Sequence, residues 1–420
     1  MAWPILCPAG RVPSSFKGVK MKRVVLRVFL GLGLILIMAG TGGYILLRNS
    51  PAWDGLMLFS EGTRVENFRN LDALFPSDPV RRGTTVWALG EAPHSLPDGY
   101  GFEGENRDLA AFLDRTETTG LLVLHQGRIA HEDYRLGADE TSLFTSWSVA
   151  KSMLSALIGI ALEEGYITSI DDPVADYVSA LDGSAYGAVP IRHVLTMSSG
   201  IGFDENYDNP LSDVYRIFMS FSTGTPLAEV LAGYEAEREP GIYNNYISSD
   251  SLVLGLVLES ATGIGLAEYA QTRLWAPMGA EADATWSHSV SGETIAMCCF
   301  NATLRDYGRF GHLYLQNGAR DDVQIVPQDW IEASITPEAP HLQPGDNPAS
   351  FWRFGYGYHW WIPEDPQGDY LAIGIWGQYI YIDPSREIVI VKKSADAGFD
   401  TRDHETVAAF RAIARHVAGG

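Results

Sequence analysis

The chain has 420 residues, 46% of them hydrophobic and 20% charged, which is the balance of a globular protein long enough to bury a large core. Its formal charge of -22 at pH 7 argues against a nucleic-acid or polyanion partner, because phosphate binding is driven by lysine and arginine displacing counterions. Three cysteines exclude a disulfide framework, and ten histidines without H-x-x-x-H spacing predict neither a metal nor a metal cofactor.

Residues 1–20, with Pro4, Pro8 and Pro13, do not read as folded and stand as an N-terminal extension. In residues 21–48, Lys22, Arg23 and Arg27 precede the uncharged run Val28 to Leu47. At about 1.5 Å per residue that run spans a bilayer core of about 30 Å. The basic flank keeps the N-terminus cytoplasmic and exports the chain beyond the run. Residues 28–47 are therefore expected to meet the lipid bilayer as a single-pass anchor in a bacterial inner membrane, with the folded domain in the periplasm. A cleaved signal peptide releasing that domain into the periplasm is the alternative, since "AGTGG" offers small residues at a cleavage position.

Residues 49–94 form a Pro- and Gly-punctuated approach segment, a spacer or a wrapping arm, ahead of a domain over 95–420. "TTGLLVLHQGRIAHEDYRLG" predicts a hairpin turning at Gln126-Gly127. "SVAKSMLSALIGIALEEG" continues as a helix from Val149 to Leu162, apolar nearly all round and ended by Gly165, hence buried. From about 165 to 293 short helical patterns such as "IRHVLTMSSG" and "SSDSLVLGLVLESATG" predict a mostly helical insertion. Cys298 and Cys299 read as buried small residues, because vicinal geometry fits a disulfide poorly. "YLAIGIWGQYIYIDPSREIVIVKKS" reads as two strands around an Asp383-Pro384 turn, and "DTRDHETVAAFRAIARHVAGG" as a closing amphipathic helix. The expected fold is thus α/β (α+β): an antiparallel sheet built from both chain ends, flanked by helices, with a helical subdomain inserted.

One compositional fact singles out a residue. Between Lys22 and Lys392 the only lysine is Lys151; every other strong cation in that interval is arginine. A task that arginine cannot perform is to lose a proton, since guanidinium stays charged while a desolvated ammonium can be neutralised. Ser148 lies three residues before Lys151, on the same side of the first helical turn. Burial and the positive helix end both lower the lysine pKa, so a neutral amine could take the serine proton during attack on a carbonyl. On the bare motif Ser148 reads equally as a helix cap. A capping box, however, would place Glu or Gln where Lys151 stands.

"SWSVAKS" resembles the nucleophile motif of the serine β-lactamase and penicillin-binding superfamily, and the chain is similar to its class C-like branch of esterases, D,D-peptidases and 6-aminohexanoate-dimer hydrolases. "PGIYNNYISSDSLVLG" is similar to the segment that carries that branch's Y-x-N or Y-x-S tyrosine, in the register that selects Tyr246 and Ser248 over Tyr243 and Asn245. "IRHVLTMSSGIGFDENY", "NATLRDYGRFGHLYLQNG" and "GIWGQYIYIDP" extend the resemblance over roughly residues 95 to 420. It implies Ser148 as nucleophile, Lys151 as its base and Tyr246 as the acid/base for leaving group and water, with Tyr246 and Lys151 titrating as a coupled pair and the phenol pKa drawn down by the ammonium. It places the third motif at Ile375-Trp376-Gly377-Gln378. The backbone N–H groups of Ser148 and Gln378 would then form the oxyanion hole, with Trp376, Gly377, Tyr207 and Ser248 as substrate-contacting residues. The usual lysine or histidine of that motif is missing, which favours an ester, an amide or a peptide-like small molecule with a less anionic acyl part over a penicillin. A serine hydrolase working through an acyl-enzyme is the function implied. The alternatives are a D,D-peptidase or β-lactamase, and a tethered protein that only binds its ligand. No G-x-S-x-G elbow or P-loop occurs.

Overall fold

The structure, a computed structural model, describes residues 57–419 together with 40, 41, 43, 44 and 48. The five isolated positions are helical. The extension over 1–20 and most of the anchor or signal segment lie outside the described residues, and no single described helix is long and apolar enough to cross a membrane.

Eight strands make the main sheet: β1 (Gly90–Glu91), β2 (Thr118–His125), β3 (Arg128–Tyr134), β4 (Gly355–Tyr356), β5 (Trp361–Ile362), β6 (Tyr370–Gly374), β7 (Gln378–Asp383) and β8 (Ile388–Ser394). Their order is β4-β5-β6-β7-β8-β2-β3-β1, antiparallel except where β1 joins β3. The two chain ends meet at β8 and β2, in a register running from Ile388 opposite His125 to Ser394 opposite Thr118. Gln126 (φ 53°) and Gly127 (φ 71°) make the two-residue turn between β2 and β3, the left-handed pair a tight hairpin requires.

The sheet is covered on both faces, so β2 reads as a continuous apolar run rather than an alternating one. Four helices pack on the sheet or beside the site: α1 (Val149–Glu163), α2 (Ser248–Thr262), α3 (Leu304–Leu315) and α4 (Asp403–Val417). Leu122, Leu124, Ile380 and Val389 share a core with Tyr307 and Phe310 of α3. Their alternates Leu121, Val123, Tyr381 and Ile390 share another with Phe410 and Ile413 of α4. Each such side chain contributes about 1.5–3 kcal/mol on full burial. Glycine allows α3 to come close: a Cβ on Gly308 would lie 2.5 Å from Leu122 and one on Gly311 2.6 Å from Val389.

Helix α1 is buried through Val149 to Ala161, and Gly165 (φ 77°) lies just past its end. Helix α2 packs beside it within the mostly helical stretch that joins the two parts of the sheet. From the described part of the approach segment, Ser77–Val80 pairs with Ala284–Ser287 in a second sheet, and Trp87 packs on His312 with ring centroids 4.6 Å apart.

Two expectations are corrected. The segment 370–394 forms three strands, not two, because Trp376 (φ 61°) and Gly377 (φ 79°) turn the chain between β6 and β7. Tryptophan is not a residue that announces such a turn. Cys298 and Cys299 are buried, but they are joined as a disulfide with sulfurs 2.10 Å apart. Cys299 adopts φ 69°, a tight local turn between neighbours.

Candidate active site

Ser148 precedes α1 and faces a cavity of about 870 Å³. Trp147 holds φ 41°, a strained value for a bulky residue, fixed by its burial and its stacking on Phe59 at 5.6 Å. The sequence left Ser148 open between cap and nucleophile. In the structure its side chain caps nothing. Instead Lys151 Nζ donates to Ser148 Oγ at 2.9 Å. The same ammonium donates to Ser248 Oγ at 3.2 Å and to the Met297 carbonyl at 3.0 Å.

Burial draws the Lys151 pKa down to about 8, against the opposing pull of the Glu205 carboxylate. Tyr246 lines the same cavity, with Lys151 Nζ 5.0 Å from its ring centroid. Its phenol does not fall below its ordinary pKa, as expected from the lysine, but rises. Burial is the main cause and Glu205 adds to it, while the neighbouring Ser148 hydroxyl pulls the other way. Tyr246 therefore rests as a neutral phenol, a proton donor.

Of the other residues singled out in the sequence, Tyr207 and Trp376 line the cavity. Trp376 stacks on Phe59 at 5.5 Å and packs at a tilt against Phe399 at 5.6 Å, forming an aromatic wall. Ser248 is buried beneath the cavity, bridging Lys151 to Glu205, and is not among the lining residues. Gly377 faces Ser394 and Asp396 instead of the cavity. Gln378 stands opposite Gly374 on β7, outside the lining, and its side-chain amide donates to the carbonyls of Ser394 at 2.7 Å and Trp376 at 3.1 Å.

What approaches Ser148 is the end of β6, three residues earlier than the sequence placed it. A Cβ on Gly374 would lie 3.0 Å from Ser148 N and 2.8 Å from the Ser146 carbonyl, so glycine alone fits. The amides of Ser148 and of Ile375, next to Gly374, have no hydrogen-bond partner among the described residues. Two unspent N–H groups at a cavity floor are suited to an oxyanion.

Sequence reasoning also missed Glu205. Its carboxylate accepts from Ser248 Oγ at 2.6 Å, Ser248 N at 2.8 Å and Tyr207 OH at 2.5 Å. Burial raises its pKa, with Lys151 and these donors opposing. It lies inside "DENYDNPLSD", an acidic loop in which nothing distinguishes the carboxylate turned into the cavity from solvated ones. Among the described residues, no group of three or more His, Cys, Asp or Glu side chains could hold a metal ion.

The comparisons with known proteins bear on this constellation. The family model Beta-lactamase matches residues 106–412. The chain belongs to the β-lactamase family. This member is 31% identical over 349 residues to a 6-aminohexanoate-dimer hydrolase of Paenarthrobacter ureafaciens, covering 80% of this chain and 86% of that one. It is 26% identical over 236 residues to penicillin-binding protein 4* of Bacillus subtilis, covering 55% of this chain and 47% of the other. Among solved structures, a Bacillus anthracis protein assigned to the 6-aminohexanoate-dimer hydrolases superposes with a TM-score of 0.78 at 24% identity, over 86% and 96% of the two chains. A class C β-lactamase from Rhodobacter sphaeroides gives 0.54 at 17%, over 73% and 97%. The β-lactamase-family chain is thus a serine hydrolase with the α/β fold of that family, as its sequence implied.

Proposed function

We propose that this β-lactamase-family hydrolase cleaves a linear amide or ester through an acyl-enzyme on Ser148. The observation that carries the assignment is the Ser148 hydroxyl, free of any capping role and 2.9 Å from a buried lysine at the cavity floor. As Ser148 Oγ bonds to the substrate carbonyl carbon, its proton passes to neutral Lys151. The oxyanion that forms is met by the N–H groups of Ser148 and Ile375, each worth about 3 kcal/mol in the transition state. The C–N or C–O bond then breaks, with Tyr246 supplying the proton to the leaving group. Water then attacks the acyl carbonyl and gives its proton to the Tyr246 phenolate, and the bond between the acyl carbon and Ser148 Oγ breaks as the Lys151 ammonium returns its proton to the serine.

The lining supports a substrate with little negative charge. Arg353 and His404 are its only basic side chains among the described residues, and both face Glu364. Asp204, Asp208, Asp400 and Asp403 line the same space. An anionic β-lactam would meet carboxylates there, whereas a neutral or ammonium-bearing chain along the Phe59–Trp376–Phe399 wall would not. The relative named for a 6-aminohexanoate dimer makes a linear amide of an amino acid the first substrate to try. A panel of short acyl esters, linear aminoalkanoyl amides and penicillins tests the reading. Turnover of esters and linear amides at a kcat/KM at least about tenfold above that of penicillins is expected, a factor equivalent to about 1.4 kcal/mol. The opposite order would favour the D,D-peptidase or β-lactamase alternative. For location, the apolar run over 28–47 with its basic flank supports an anchored or exported periplasmic domain, which cell fractionation with and without residues 1–48 would test.

A further inference from the structure

Glu205 makes no hydrogen bond to Ser148 or Lys151, but it is joined to Lys151 through Ser248. When Lys151 is a neutral amine it has two N–H donors and one lone pair, and three oxygens surround it: Ser148 Oγ, Ser248 Oγ and Met297 O. The Met297 carbonyl can only accept. Ser248 could in principle donate to the lone pair, but its single proton is committed to Glu205 Oε1 at 2.6 Å, while Glu205 Oε2 takes the Ser248 backbone N–H at 2.8 Å. Ser148 is then the one neighbour in this network able to donate to the lone pair. The two remaining N–H bonds of the amine go to Ser248 and Met297. We propose that Glu205 is a positioning residue which, by claiming the Ser248 proton, aims the lone pair of neutral Lys151 at the nucleophile. This rests on the Ser148 acyl-enzyme reading.

Other groups near the amine do not supply that direction. The Tyr246 ring presents its face to Nζ at 5.0 Å, and His359 Nδ1 meets the Lys151 backbone carbonyl at 2.9 Å rather than the amine. Tyr207 donates to the same Glu205 Oε1 at 2.5 Å and so makes that oxygen still less able to be anything but an acceptor.

A glutamine at this position makes a sharp probe. Its carbonyl oxygen must face the Ser248 backbone N–H, because an amide N–H there would oppose another donor. That sets the NH₂ group against Ser248 Oγ, frees the serine proton and lets Ser248 donate to Lys151 in competition with Ser148. Deleting the Ser248 hydroxyl removes the competitor, so the two substitutions must be non-additive.

The test is a double-mutant cycle of Glu205→Gln and Ser248→Ala on the full chain. Two rates are read for each variant: fluorophosphonate labelling of Ser148 by mass spectrometry, and hydrolysis of an amide or ester substrate. Glu205→Gln is expected to slow labelling about 10- to 100-fold in the Ser248 background and less than about threefold in the Ser248→Ala background. Glu205→Asp, shorter but still an acceptor-only carboxylate, should retain more activity than the isosteric glutamine. A packing defect would give the reverse order. Thermal unfolding checks each variant, and Glu205→Ala, which also frees the Ser248 proton, replaces glutamine in the cycle if that chain does not fold. Equal losses in both backgrounds, or no loss in either, would overturn the proposal while leaving Ser148 as nucleophile. A wild type that takes no label would refute the Ser148 reading, and this proposal with it.

Discussion

Lys151→Arg is expected to leave the protein folded and to lower kcat/KM by about three orders of magnitude, within the range a positioned general base contributes. Three acceptors surround Lys151 Nζ, so a cation remains satisfied there. A guanidinium, however, does not lose its proton in a protein, and the substitution removes the one property the mechanism needs. The pH dependence arises from the same group. Burial holds its pKa at about 8, so the neutral, proton-accepting form is populated above that value. In wild type, kcat/KM should therefore rise about tenfold per pH unit up to about 8 and then level. Steady-state kinetics from pH 5 to 10, with circular dichroism on the variant, check both expectations. Retained turnover in Lys151→Arg would contradict the proton-acceptor role.

Tyr246→Phe carries the second large effect, and its size should depend on the leaving group. The substitution keeps the ring, which packs at 5.3 Å from Trp361 and 6.3 Å from Tyr356, and removes only the hydroxyl. Because the phenol rests protonated, it supplies a proton to a poor leaving group such as an amine. Amide hydrolysis should fall by about 10²- to 10⁴-fold, whereas a p-nitrophenyl ester, whose leaving group needs no proton, should be acylated far less slowly. Burst kinetics on the ester and steady-state kinetics on the amide separate the two. Equal losses on both would move Tyr246 from acid to mere cavity wall.

Much of this was legible because it is local or periodic. The continuous apolar run of β2, the Gln126-Gly127 turn and the buried α1 with its flanking Gly165 each depend on a few neighbouring residues. The lysine distribution pointed to Lys151 before any geometry was known. Other features depend on contacts between distant residues. Phe59, from the approach segment, completes the aromatic wall with Trp376 although the two are far apart in the chain. Glu205 is one acid among several in its loop and acquires meaning only when Ser248 and Tyr207 close on it. The turn between β6 and β7 pairs Gly377 with a tryptophan, which does not announce a turn, so the stretch up to Asp383 reads as one strand and the backbone beside Ser148 is assigned to Gln378, where the structure brings Gly374 and Ile375. The Cys298–Cys299 pairing depends on one local backbone conformation that composition does not disclose.

The most direct measurement is the mass of the intact protein and of its Ser148 peptide after treatment with a fluorophosphonate. One phosphonyl group on Ser148, absent in Ser148→Ala and strongly slowed in Lys151→Arg, is the predicted result. A folded protein that takes no adduct, or takes it on another serine, would contradict an acyl-enzyme at this site.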